Sequence, residues 1–92
     1  MAELLKIHSD GSYELKDGGA RSQAIEWNED GTFNRVVSNR PVIGCSMLVG
    51  SISARSYSAQ DYWLTTEIIE IIEDDEERVK FRTKNSMYEW RK

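Results

Sequence analysis

The chain has 92 residues and a mass of 10.6 kDa, enough for one small domain that hides about 60 to 65% of its unfolded surface. It is 39% hydrophobic, 10% aromatic and 30% charged, so it can build a core, whereas disordered chains are poor in aromatic and β-branched residues. Twelve Lys and Arg against 16 Asp and Glu give a net charge of -4 and a pI near 5.0, which argues against general nucleic-acid binding and against attraction to anionic lipid.

The first segment, Met1 to His8, carries Glu3, Lys6 and His8, and no uncharged apolar run approaches the roughly 18 residues that span a bilayer. A cytosolic protein without an export or anchoring signal is the expectation. Turn signals then follow at short intervals: Ser9-Asp10-Gly11, Asp17-Gly18-Gly19, Asn28-Glu29-Asp30-Gly31, Ser38-Asn39-Arg40-Pro41, Gly44, Gly50, Glu73 to Glu77 and Asn85-Ser86. Between them lie short segments rich in Val, Ile, Thr, Tyr, Phe and Trp, the residues of a pleated, half-buried surface. Strands are predicted near 3–8, 12–16, 32–37, 42–49, 51–56, 64–73, 78–84 and 87–91, and segment 20–27 reads as either a strand or a short helix.

In the last hairpins Val79, Phe81 and Thr83 alternate with Lys80, Arg82 and Lys84, which sets three basic side chains on one face. With the preceding turn centred on Asp74 to Glu77, Glu67 falls opposite Lys84 and Ile72 opposite Val79. Ile68, Ile69, Ile71 and Ile72 also fit a helical face, but their β-branching and the flanking Thr65 and Thr66 favour strand. There is no internal repeat or linker, and Pro41 divides residues 1–40, an appended meander, from a barrel core at 41–92 within a single domain. So many strands in so short a chain expose sheet edges, which closure or a neighbouring copy would cover. The expected fold is all-β or β-rich α+β: a small barrel-like, strongly bent antiparallel sheet with hairpins, in an oligomer.

Reaction chemistry has little to draw on. His8 is the lone histidine and lies near a chain end, so a nucleophile with base and orienting group has no obvious assembly. Cys45 cannot close an intramolecular disulfide, and with His8 it cannot complete a structural zinc set, so the chain suits a reducing compartment. The apolar run Val42 to Val49 around Cys45 points to an inert packing thiol. The acidic run from Glu67 to Glu77 lacks the turn glycine of a calcium loop, and Gly18-Gly19 lacks the spacing of a phosphate loop.

Segment 53–63, Ser-Ala-Arg-Ser-Tyr-Ser-Ala-Gln-Asp-Tyr-Trp, stands apart, because it mixes a guanidinium, hydroxyls, a carboxamide and three aromatic rings with no strand period. Such groups suit a nucleotide: rings stack on a base, Arg forks onto phosphate oxygens, and hydroxyls or amides read base edges and ribose. Core packing of Tyr62 and Trp63, with Arg55 on a neighbouring carboxylate, accounts for the same residues equally well. Asn85-Ser86 reads first as a turn.

The run Ala54 to Thr66, followed by Val79 to Trp90, resembles the Thoeris anti-defence sponges, small phage-encoded proteins. The resemblance covers about half the chain, from near Arg40 to Trp90, and leaves residues 1–39 unmatched. It implies a non-enzymatic role, in which the cyclic ADP-ribose signal made by bacterial TIR-domain enzymes, and in some members a cyclic oligonucleotide, is held unchanged. It also implies an oligomer with pockets near subunit boundaries, and no cofactor. By matching position Arg55 becomes a phosphate contact, Asn85 a polar contact, and Tyr57, Tyr62 or Trp63 stacking surfaces; on residue type, Arg40 or Arg82 is a further cation for the pyrophosphate. The alternatives from other classes are an inhibitor that docks on a host or defence protein, and a virion or assembly component.

Overall fold

In the computed structural model, which describes residues 2–50 and 62–92, the chain is all-β. Among the described residues nine strands are formed: β1 (Ala2–Ile7), β2 (Tyr13–Gly19), β3 (Arg21–Trp27), β4 (Phe33–Ser38), β5 (Ser46–Gly50), β6 (Tyr62–Leu64), β7 (Ile68–Asp74), β8 (Arg78–Thr83) and β9 (Met87–Arg91). They make two antiparallel sheets, one of five strands in the order β2-β1-β9-β8-β7 and one of four in the order β4-β3-β5-β6. Segment 20–27 is therefore a strand, and the isoleucines of β7 are extended as their β-branching requires. The predicted strand at 51–56 lies outside the described residues.

The local cause of the first two hairpins is a shared loop. In His8-Ser9-Asp10-Gly11-Ser12 the Asp10 carboxylate accepts hydrogen bonds from the Ser12 backbone N–H and hydroxyl, while Gly11 turns the chain at φ 87°. Asn28-Glu29-Asp30-Gly31-Thr32 repeats this, with Asp30 accepting from the Thr32 N–H and hydroxyl and Gly31 at φ 86°. The sequence reading found no repeat, yet x-x-Asp-Gly-(Ser/Thr)-(Tyr/Phe) occurs twice and builds the same turn twice.

The core lies between the sheets. Leu4, Tyr88, Trp90, Val79 and Phe81 from the first sheet meet Ala24, Met47 and Val49 from the second, with Ile68 and Cys45 closing one side. Phe81 and Tyr88, cross-strand partners, stack with ring centroids 5.6 Å apart. The alternation predicted for β8 is observed, since Val79, Phe81 and Thr83 are buried while Arg82 is exposed. On the outer face of this sheet Lys80, Arg82, Arg78 and Arg91 interleave with Glu73, Glu70 and the buried Glu89.

Five expectations need correction. Among the described residues the strands form two sheets and no closed barrel, because the first sheet ends at β2 and β7 and the second at β4 and β6. Residues 1–40 are not an appended meander: β1 is hydrogen-bonded between β2 and β9, and β3 between β4 and β5. The strand predicted at 42–49 begins only at Ser46, because Gly44 at φ 89° turns the chain and the Cys45 N–H returns to the Val42 carbonyl. That predicted at 64–73 breaks at 65–67, where the Thr65 hydroxyl takes the Met47 N–H and the chain crosses from one sheet to the other. Its pairing with β8 starts in the expected register, Ile68 opposite Thr83, and then slips through two bulges. Asp74, not Ile72, ends opposite Val79.

Candidate functional site

The residues singled out by sequence do not form one cluster. Tyr62 and Trp63 are adjacent in β6 and so project from opposite faces of the sheet. Tyr62 faces outward with the Arg21 guanidinium 5.9 Å from its ring centroid, and Trp63 faces inward against the core with the Lys16 ammonium 4.7 Å from its ring. Arg82 lies on the outer face of the first sheet, where its Nε donates to Glu70 at 3.0 Å. Asn85 sits in the β8–β9 turn, at the far end of β9 from Arg40. Arg55 and Tyr57 lie outside the described residues.

Arg40, by contrast, stands in a cleft. The space, about 290 Å³, is lined by Ala2, Ala20, Ser22, Asn39, Arg40, Trp90 and Lys92, at the end of the molecule where β1 begins and β9 finishes. Its walls are fixed by a chain of hydrogen bonds: the Trp90 indole N–H donates to the Ser22 hydroxyl at 2.9 Å, and that hydroxyl donates to the Asn39 carbonyl at 2.8 Å. Ser22 thereby ties the two sheets to the loop that carries Arg40. The Arg40 N–H then donates to the Ser38 hydroxyl, and buried Pro41 closes the loop behind it.

The guanidinium is equally well held. Its Nη1 donates to the Glu76 carbonyl at 3.1 Å, and its Nη2 to the Asp74 carboxylate at 2.9 Å and to the Asp75 carbonyl. Its Cζ lies 5.1 Å from the centroid of the Trp90 ring. These three bonds leave two of the five guanidinium N–H groups without a partner among the described residues. Lys92 brings a second positive charge to the cleft and is in no ion pair among the described residues. Trp90 is only 3% exposed, so it supports Arg40 and offers no open ring face to a base.

Sequence reasoning missed Ser22, Asn39, Trp90 and Lys92. The available signal was the placement of Arg40 in an Asn-Arg-Pro loop, a polar turn that delivers a cation beside an acidic hairpin. Elsewhere the structure offers one histidine contact, His8 Nε2 to Glu14 at 2.8 Å, with no hydroxyl or thiol bonded to the ring among the described residues. Hydrogen bonds from Lys16 and then His8 hold the Glu14 carboxyl below the usual carboxylate range. Burial pushes the Cys45 thiol up, as an inert packing role requires. Among the described residues no three His, Cys, Asp or Glu side chains gather to hold a metal ion, and no helix is long and apolar enough to cross a membrane.

What this arrangement can do is bind an anion: two guanidinium donors with no partner among the described residues, an ammonium and an amide side chain surround a small concavity. Comparison of the chain with family models, with curated proteins and with solved structures finds no match in any of the three.

Proposed function

We propose that the protein is a non-enzymatic binder that holds a phosphate-bearing cyclic nucleotide, of the cyclic ADP-ribose class, at the Arg40 cleft and releases it unchanged. The observation that carries this reading is the pre-positioned Arg40 guanidinium, braced by Asp74, Asp75, Glu76 and Trp90 while two donors have no partner among the described residues. Preorganisation matters because ordering a flexible side chain on binding costs about 0.5 to 1.5 kcal/mol. The cleft volume of about 290 Å³ suits the pyrophosphate end of such a ligand rather than the whole molecule. The reading therefore includes a homo-oligomer, with a second subunit completing the wall. The resemblance of segments 54–66 and 79–90 to the anti-defence sponges suggests the ligand class, with Arg55 as a further candidate phosphate contact and Tyr57 and Tyr62 as candidate stacking surfaces for its base.

Isothermal titration tests this. Arg40→Ala should weaken binding of the cyclic nucleotide by about 1.5 to 3 kcal/mol, the scale of a hydrogen bond to a charged group, and Arg40→Lys should restore little because it lacks the fork. Unchanged affinity in a folded Arg40→Ala protein would remove the cleft from the site.

A second reading, inhibition by docking on another protein, is favoured by one observation. Trp27, Phe33, Val36 and Leu64 share the outer face of the four-stranded sheet and are 36 to 57% exposed. Recovery from host lysate of a stoichiometric protein partner, lost in Phe33→Asp and with no bound nucleotide, would support this reading over the first.

A further inference from the structure

Because β1 and β9 run side by side, with Ile7 opposite Met87, the β1–β2 and β8–β9 turns meet at the end of the molecule remote from Arg40. Between them is a second cleft of about 400 Å³, lined by Lys6, Ile7, His8, Ser9, Asn85, Ser86 and Met87. Its walls are rigid: Asp10 caps the first turn, and in the second the Thr83 N–H donates to the Ser86 carbonyl at 2.8 Å while the Ser86 N–H donates to the Thr83 hydroxyl.

Seven cationic side chains, Lys16, Arg35, Arg40, Arg78, Lys80, Arg82 and Arg91, are paired with carboxylates. Half-buried Lys6, like Arg21, Lys84 and Lys92, has no carboxylate partner among the described residues, although the chain has 16 acids for 12 bases and Glu14 is its cross-strand neighbour. Glu14 is instead engaged by His8 and Lys16. The side chains of Ser9, Asn85 and Ser86 likewise make no hydrogen bond to the described residues, so an ammonium, an amide and two hydroxyls border one concavity without internal partners. A partly desolvated cation with uncommitted neutral donors around it is stabilised by an anion that accepts from all of them.

We infer that this cleft is a second binding site, for a tetrahedral oxyanion such as a phosphate group, recognised by Lys6 with Asn85, Ser86 and Ser9. It is independent of the Arg40 cleft and does not rest on the nucleotide reading. The test is a titration of the full chain with inorganic pyrophosphate, followed by amide correlation spectra. The expected result is a saturable shift at His8, Ser9, Ser86 and Met87 that weakens about tenfold or more in Lys6→Ala and persists in Arg40→Ala. A parallel titration with adenosine monophosphate separates the sources: tighter saturation than by pyrophosphate identifies a nucleotide phosphate, weaker saturation a free one. Shifts confined to the Arg40 cleft, or unaltered by Lys6→Ala, would overturn the proposal. Asn85→Ala, at an exposed turn position, gives the same reading should Lys6→Ala fail to fold.

Discussion

Asp10 and Asp30 occupy equivalent positions in two hairpin loops, and the hydroxyls of Ser12 and Thr32, followed by their backbone N–H groups, hold both carboxyls below the usual range. A carboxyl whose value is lower in the folded than in the unfolded chain stabilises the fold above the unfolded value, near 4, and loses that contribution as pH falls through the folded value. Asp10→Asn/Asp30→Asn should therefore melt at a lower temperature at pH 7 and show a shallower decline of melting temperature between about pH 5 and 2. Parallel pH profiles for the two proteins would contradict it. Gly11 and Gly31 supply the complementary backbone requirement. A Cβ at either position meets nothing within 4 Å, so the left-handed conformation alone sets the penalty. Gly31→Ala should cost about 1 to 2 kcal/mol in denaturant unfolding, and a neutral result would show that the loop does not need that conformation.

At the scale of strands, the energetic weight falls on β8 and β9, whose inward residues fill the space between the sheets. Phe81, fully buried and stacked on Tyr88, should lose about 3 to 5 kcal/mol on truncation to Ala, whereas Ile72→Ala on the edge strand β7, where Ile72 is 42% exposed, should change stability by about 0.5 kcal/mol or less. Similar losses at both positions would mean that the core is not where these strands place it. β8 was legible in the sequence because a strand with one wet face writes its period of two directly into Val79, Lys80, Phe81, Arg82 and Thr83. The bulges of β7 were not, because an inserted residue changes pairing without changing composition: Ile69 and Ile72 look like core residues but fall at the slips. β5 was read as starting too early for a related reason. All five of its residues are buried, so no alternation separates it from the apolar turn Val42 to Cys45.

Across the whole molecule, the pairing of the first strand with the last decides the architecture. β1 against β9 joins chain ends into one sheet and turns the expected single bent sheet into two layered ones. Local patterning carries no information about such distant pairing. The candidate site illustrates the same limit: Arg40 meets residues 74–76 and Trp90, which are 34 to 50 positions away, so its neighbours could not be read from the loop that holds it. The ligand contacts expected from the sequence are also spread apart, Arg40 in its cleft, Arg82 on the outer face of the first sheet and Asn85 at the opposite end.

The most direct test of the account mixes the purified protein with a cyclic ADP-ribose isomer, measures the heat of binding, then denatures the complex and identifies the released small molecule by mass spectrometry. Sub-micromolar binding with the intact ring recovered in stoichiometric yield is the predicted result. A linear or hydrolysed product, or no heat with any isomer, would contradict the claim that this protein captures such a signal without transforming it.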